Sequence, residues 1–158
     1  CKKLEASTAQ VKNRIDALFD EQKQLKHQLK SMRKVHLKAL LEEIMETKTS
    51  IGDITFVSAG VELMKDEFAP LANDLFSRFK SCVIVLGMKD EGRASLLVKI
   101  SPDLLEKGIR ANEIIKAIAP EIGGSGGGRP DSAQAGGKNP EGLERAFERA
   151  KSIIENNK

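Results

Sequence analysis

The chain has 158 residues, 31% of them charged and 4% aromatic, with no Trp and no Tyr. That length suits one ordinary domain, or a small domain with an appendage. The net charge of +3 is too small to announce a nucleic-acid partner by itself, no apolar run approaches the ~20 residues of a membrane helix, and Cys1 and Cys82 make neither a disulfide framework nor a CxxC metal knuckle.

The first twenty residues mix charged and apolar groups, unlike a signal peptide. A reducing, cytoplasmic setting is expected, with no membrane partner. The start at Cys1 rather than Met reads as a fragment of something longer.

Residues 1–48 read as helix. Leu4, Thr8, Val11, Ile15, Leu18, Gln22, Leu25, Leu29, Met32, His36 and Ala39 recur at alternating spacings of four and three. That is a heptad seam without Gly or Pro. Its polar positions, Thr8, Gln22 and His36, weaken the seam and are suited to fixing register or partner number. Near His36 the apolar phase slips to Leu37, Leu40, Leu41, Ile44 and Met45. Either a bend in one long coiled-coil-like helix or a helical hairpin accommodates the slip.

Ser50, Gly52 and Asp53 end the helical part, and 54–61 reads as a strand. An amphipathic helix is expected over 64–79, with Pro70 kinking it or marking its true start. The run CVIVLGM at 82–88 suits a buried strand, and 94–100 is its hairpin partner across the turn 89–92. Ser101-Pro102-Asp103 starts a short helical turn, and 112–119 is a helix stopped by Pro120. Asn139 is expected to cap, and Pro140 to open, a last helix. The fold class is therefore α+β: a helical arm over 1–49, then a small α/β globular domain with a mixed sheet over 50–158, carrying a glycine-rich loop at 123–137.

Catalytic constellations are missing. His27 and His36 are nine apart, not at HExxH spacing. No HxE…PCxxC pattern and no GxSxG elbow occurs. Cys82 lies in the most apolar strand, which favours an inert buried thiol.

Eight of the 13 glycines fall within residues 123–142. The segment GGSGGGRPDSAQAGGK fits neither GxGxxG nor GxxxxGK[ST]. Its chemistry still suits anions. Glycines let backbone N–H groups converge and let another backbone approach. Arg129 offers a bidentate guanidinium, Gln134 a donor and an acceptor, and Lys138 leads into a helix N-terminus. A flexible linker would repeat Gly and Ser, and RPDSAQAGGKNP does not. A purely structural tight crossover is the competing account.

The segment GGSGGGRPDSAQAGGKNPEGLERA resembles the C-terminal signature of alanyl-tRNA synthetase. The related DHH-type phosphoesterases carry a glycine run followed by His where Arg129 stands. The resemblance extends to the order of parts: helical arm, then VIVLGMKDEGRASLLVKISPDLLEKGIRANEII, then the glycine segment and a closing helix. It implies a tRNA-binding C-terminal domain that contacts the outer corner of alanine tRNA and supports aminoacylation and editing by upstream domains. It also implies an arm able to pair with another subunit. The full-length ligase would be an enzyme using ATP and zinc. This chain carries no catalytic residues and no cofactor of its own.

The residues speak for RNA independently. Between Gln22 and Leu41 stand six Lys/Arg, two His and no acid. Lys23, Lys26, Lys30 and Arg33 form one helical stripe, suited to tracking an RNA backbone; an ordinary solvated face is the plainer account. Without Trp or Tyr, shape recognition fits better than base stacking. The candidate contacts are Lys23, Lys26, Lys30, Arg33, Lys34, Arg110, Gly126, Gly127, Gly128, Arg129, Gln134, Gly136, Gly137 and Lys138. Two alternatives stand beside this reading: the substrate-binding domain of a DHH-type phosphoesterase, and a coiled-coil dimerisation module.

Overall fold

The computed structural model describes residues 8–90 and 92–157. Leu4, the first residue of the seam, lies outside them. Two compact units share the chain, Cys1–Leu40 and Leu41–Lys158.

The described part of the arm is one unbroken helix, α1, over Thr8–Glu46, so no hairpin interrupts it. On its seam Val11, Ile15, Leu18, Leu25, Leu29 and Met32 are 45% to 71% exposed. Beyond the phase slip the helix changes its packing, because Leu41 and Ile44 are buried. The compact second unit therefore takes in the last turns of α1 from Leu41, ahead of the boundary expected at residue 49. Thr47 caps the helix end with its hydroxyl on the Ile44 carbonyl, 2.8 Å away.

The second unit is a six-stranded mixed sheet. Its strands are β1 (Thr49–Ile51), β2 (Ile54–Val61), β3 (Cys82–Asp90), β4 (Arg93–Ile100), β5 (Gly124–Gly128) and β6 (Ser132–Gly137), in the spatial order β1-β2-β3-β4-β6-β5. Only β2 and β3 run parallel, joined by helix α2 (Lys65–Ser77). The expected β3–β4 hairpin forms and turns at Gly92, whose φ of 79° suits glycine.

Each sheet face is covered differently. One face carries Phe56, Val83, Val85, Leu96, Val98 and Ile100. After β4 comes the short helix α3 (Pro102–Glu106), as expected, and the face packs on α4 (Ala111–Ile118) and α5 (Leu143–Asn156) through Ile114, Ile115, Ile118, Leu143, Ala146, Ala150 and Ile154. Each fully buried Ile, Leu or Val among them stabilises the fold by roughly 1.5–3 kcal/mol. The other face takes α2, with Phe68, Leu71, Ala72 and Leu75 buried. Helix α2 begins at Lys65, five residues before Pro70, and is held at its start by the Glu67 carboxylate accepting from Met64 N–H at 3.4 Å. Pro70 therefore does not set its start.

Residues 123–137, expected as a loop, are mostly strand. Gly124, Gly126 and Gly128 alternate toward the β6 backbone and Ala133 and Ala135. Small residues at period two allow the two backbones to approach closely. Asn139 also departs from expectation. Its side chain caps no helix but donates to the Glu121 carbonyl at 3.2 Å. Pro140–Gly142 is a single 3-10 turn ahead of α5. Asn139 N–H donates to the Ile122 carbonyl, while the Glu121 carboxylate takes Arg149 at 2.7 Å. These bonds fasten the two ends of the β5–β6 hairpin to each other and to α5.

Candidate nucleic-acid interface

The register fixes what the β5–β6 hairpin presents. Leu96 lies opposite Ala135 and Val98 opposite Ala133, all on the core face. The residues between them point the other way. Ser95 pairs with Gly136, and Leu97 with Gln134; beyond them Ser125 pairs with Gly136, and Gly127 with Gln134. Helix α2 covers β3 and β4 on this second face. Over β5 and β6 it is open: Ser125, Gly127, Gln134 and Gly136 are all exposed.

The glycines of the hairpin divide by what a side chain would meet. A Cβ at Gly124 would stand 1.9 Å from the Gly136 carbonyl oxygen, and one at Gly137 2.0 Å from the Ile122 carbonyl oxygen. At Gly126 it would meet the Ala135 Cβ at 2.5 Å, and at Gly128 the Ala133 Cα at 2.6 Å. These four are glycine because the fold leaves no room. At Gly127 and Gly136 no described atom lies within 4 Å of a Cβ. Neither has a positive φ. Packing and backbone conformation therefore require no glycine at these two positions, yet both lie on the open face.

Beside this bare face runs a groove in two parts. One, of about 410 Å³, lies between α2 and the sheet, lined by Phe68 and Ala69 of α2 and by Met88, Ser125, Gln134 and Gly136 of the sheet. The second, of about 670 Å³, gathers Lys65, Arg93 and Lys138 with Asp90 around the backbone of Gly124, Gly136 and Gly137. Lys65, Ser95, Ser125 and Gly136 border both parts. Lys65 Nζ lies 3.3 Å from the Asp90 carboxylate, and Arg93 is directly opposite Asp90 in the hairpin register.

Of the candidates drawn from sequence, Gln134, Gly136, Gly137 and Lys138 line this groove, and Gly127 lies on the bare face beside it. Gly126 and Gly128 serve the close backbone approach instead. Arg129 sits in the turn between β5 and β6, where its N–H closes on the Ser132 carbonyl and its guanidinium meets Asp131 at 3.2 Å. Arg110 precedes α4, 3.9 Å from Glu113. Ala111 N–H bonds the Pro130 carbonyl, so Arg110 and Arg129 share the turn end of the hairpin. Neither lines the groove. On the arm Lys23, Lys26 and Lys34 are exposed and Arg33 is half-buried. The Lys30 side chain lies outside the described residues.

Nothing in the sequence points to Lys65 and Arg93, since they stand on elements remote from the glycine segment. Lys99, also on this face, is tied to α2: its ammonium bonds Asn73 and sits 4.9 Å over the Phe76 ring.

Burial pushes the Cys82 thiol up to about 11, with the Asp103 charge adding to the effect. Asp103 is held below the usual carboxylate range by the hydroxyls of Ser101 and then Ser81, the latter at 2.6 Å. Among the described residues no group of three or more His, Cys, Asp and Glu side chains is placed to hold a metal. No helix among them is long and apolar enough to cross a membrane.

Comparison with known proteins gives one consistent answer. The DHHA1 domain model matches residues 53–156. The alanine–tRNA ligase of Lactobacillus acidophilus is 34% identical over 148 residues, 93% of this chain and 17% of the ligase. That of a Roseiflexus species is 36% identical over 150 residues, 94% of this chain and again 17% of the ligase. The chain thus spans about a sixth of the length of these curated relatives. Among solved structures, the C-Ala domain of Aquifex aeolicus alanyl-tRNA synthetase matches with a TM-score of 0.64 and 28% identity, covering 68% of this chain and 97% of that one. A DHH-domain protein described as a member of the s1p family of ribosomal proteins shares the fold at a TM-score of 0.58 and 14% identity, over 82% of this chain and 32% of its own. With the glycine hairpin, the β3–β4 hairpin and the closing helix all inside the matched span, the chain belongs to the DHHA1 domain family and is similar to its alanine–tRNA ligase members.

Proposed function

We propose that this chain is the tRNA-binding C-terminal domain of an alanine–tRNA ligase, acting in the cytoplasm. Aminoacylation and editing, with their ATP and zinc, belong to parts of the ligase upstream of this chain. Its own task is to hold the outer corner of alanine tRNA. The observation that carries the reading is the pair Gly127 and Gly136. The fold has room for side chains there, and their absence keeps a strip of backbone bare on the open face. With no side chains in the way, a partner's backbone can come within contact distance of the sheet face, and an RNA backbone is such a partner. Cations border the strip at Lys65, Arg93 and Lys138, and the arm adds Lys23 and Lys26.

Fluorescence anisotropy of alanine tRNA and of a second intact tRNA, at several salt concentrations, tests the proposal. Binding is expected to weaken steeply with salt and to fall on a Lys23→Glu, Lys26→Glu double substitution. Failure to bind either tRNA at low salt overturns it.

The exposed seam favours a second role for the arm, the pairing of two copies. A helix with this much apolar surface in water gains by burying it on another. In heptad terms Ile15, Gln22 and Leu29 take one core position and Leu18, Leu25 and Met32 the other. A parallel, in-register pair brings Gln22 against its counterpart and Glu21 of each helix toward Lys26 of the other.

A further inference from the structure

We infer that Asp90 is a built-in counter-charge that limits how tightly the groove holds RNA phosphates. The inference rests on the RNA-binding reading and adds α2 and the β3–β4 turn to the footprint. Three cations from three separate elements converge on the larger part of the groove: Lys65 from α2, Arg93 from β4 and Lys138 from the segment after β6. Its floor is the backbone of Gly124, Gly136 and Gly137. A floor without side chains, three cations and an open mouth together suit a phosphodiester.

Among the described residues of this lining, Asp90 is the acid. Its carboxylate lies 3.3 Å from Lys65 Nζ and directly across the hairpin from Arg93. A phosphate that approaches Lys65 must displace Asp90 or lie against it, and like charges at that range repel. The Lys65–Asp90 pair is 70% and 38% exposed, so it is weak and readily displaced. The carboxylate therefore lowers affinity without closing the groove. An isolated anion bears this cost on its single contact, whereas a strand also held by the glycine face spreads it. The predicted effect is selectivity for extended RNA over single phosphates, and easier release.

The test uses the whole chain with alanine tRNA and, separately, inorganic phosphate. Asp90→Asn is expected to tighten tRNA about fivefold at low salt, the upper range of an exposed ion pair, and to steepen the salt dependence by close to one released counterion. It should also make inorganic phosphate shift the Gly124 and Gly137 amide resonances at lower concentration. Lys65→Gln with Arg93→Gln should weaken tRNA at least tenfold and abolish the gain from Asp90→Asn. If Asp90→Asn leaves tRNA affinity unchanged while the double Gln variant weakens it, the counter-charge role is wrong and the groove stands. If the double Gln variant binds tRNA like the parent while Gly127→Ala binds it poorly, RNA lies on the glycine face outside the groove, and the inference falls. If none of these variants alters tRNA binding, the RNA-binding reading of this face itself fails. Urea denaturation of each variant confirms that the exposed substitutions leave the fold intact.

Discussion

Substituting alanine along the β5–β6 hairpin separates glycines that the fold needs from those that a partner needs. At Gly127 a methyl group meets no described atom within 4 Å and no forbidden backbone angle. Alanine there reduces the freedom of the unfolded chain, so Gly127→Ala should stabilise the protein by about 0.4–1 kcal/mol. For a domain of this size that is a rise in Tm of about 1–4 °C. At Gly126 the same methyl stands 2.5 Å from the Ala135 Cβ and 2.6 Å from the Gln134 carbonyl oxygen. At Gly124 it stands 1.9 Å from a carbonyl oxygen, with backbone as the obstacle. Strand separation is the only relief, and Gly126→Ala and Gly124→Ala should each cost at least the ~1–3 kcal/mol of an overpacked core. RNA binding should run opposite to stability. A methyl between backbone and a closely seated RNA should cost Gly127→Ala about 1–2 kcal/mol of affinity, roughly five- to thirtyfold. Thermal melts by circular dichroism and tRNA anisotropy on the same samples read both quantities. A Gly127→Ala protein that binds tRNA as tightly as the parent, or melts several degrees lower, would refute the reasoning.

Further outcomes follow from the buried and seam residues. Cys82, with its thiol raised from 9.0 to about 11 by burial, should resist thiol reagents at neutral pH until the protein unfolds. Because the unfolded thiol ionises first, the Cys82 contribution is intact below about pH 9 and is lost as pH rises through 11; urea titrations should show the parent losing stability there relative to Cys82→Ala. Asp103 has the opposite sign. Its folded carboxyl lies below the ordinary 3.8, so its contribution is present above about pH 4 and is lost as pH falls further. Acid titration of Asp103→Asn should show a shallower loss. On the arm, Gln22→Cys in a Cys1→Ser background should form a disulfide-linked dimer under mild oxidation, since counterparts meet in a parallel, in-register pair. A protein that stays monomeric by sedimentation and uncrosslinked contradicts that arrangement.

How much of this domain a sequence reveals depends on whether side chains or their absence set the structure. Strands β2, β3 and β4 announce themselves through apolar residues, because burial drives them and the pattern records it. The phase slip at Leu41 and Ile44 is legible for the same reason, but its meaning is not. It suggests a bend or a hairpin, whereas the helix runs on unbroken and buries these two residues in the second unit. The β5–β6 hairpin is different. Glycine carries no strand preference, and a run of it reads as a loop. Yet Gly124, Gly126 and Gly128 recur at period two, as do Ala133 and Ala135 opposite them. That alternation of absent and minimal side chains is a strand signal written in sterics instead of hydrophobicity. Arg129 stands inside the glycine segment, but its guanidinium is engaged by Asp131 at the turn. Lys65 and Arg93 carry no local signal, since only the parallel β2-α2-β3 connection and the β4–β6 pairing bring them to the bare backbone. Motif reading finds the segment that forms such a site. It does not find the cations that the fold delivers from elsewhere, nor the carboxylate that opposes them.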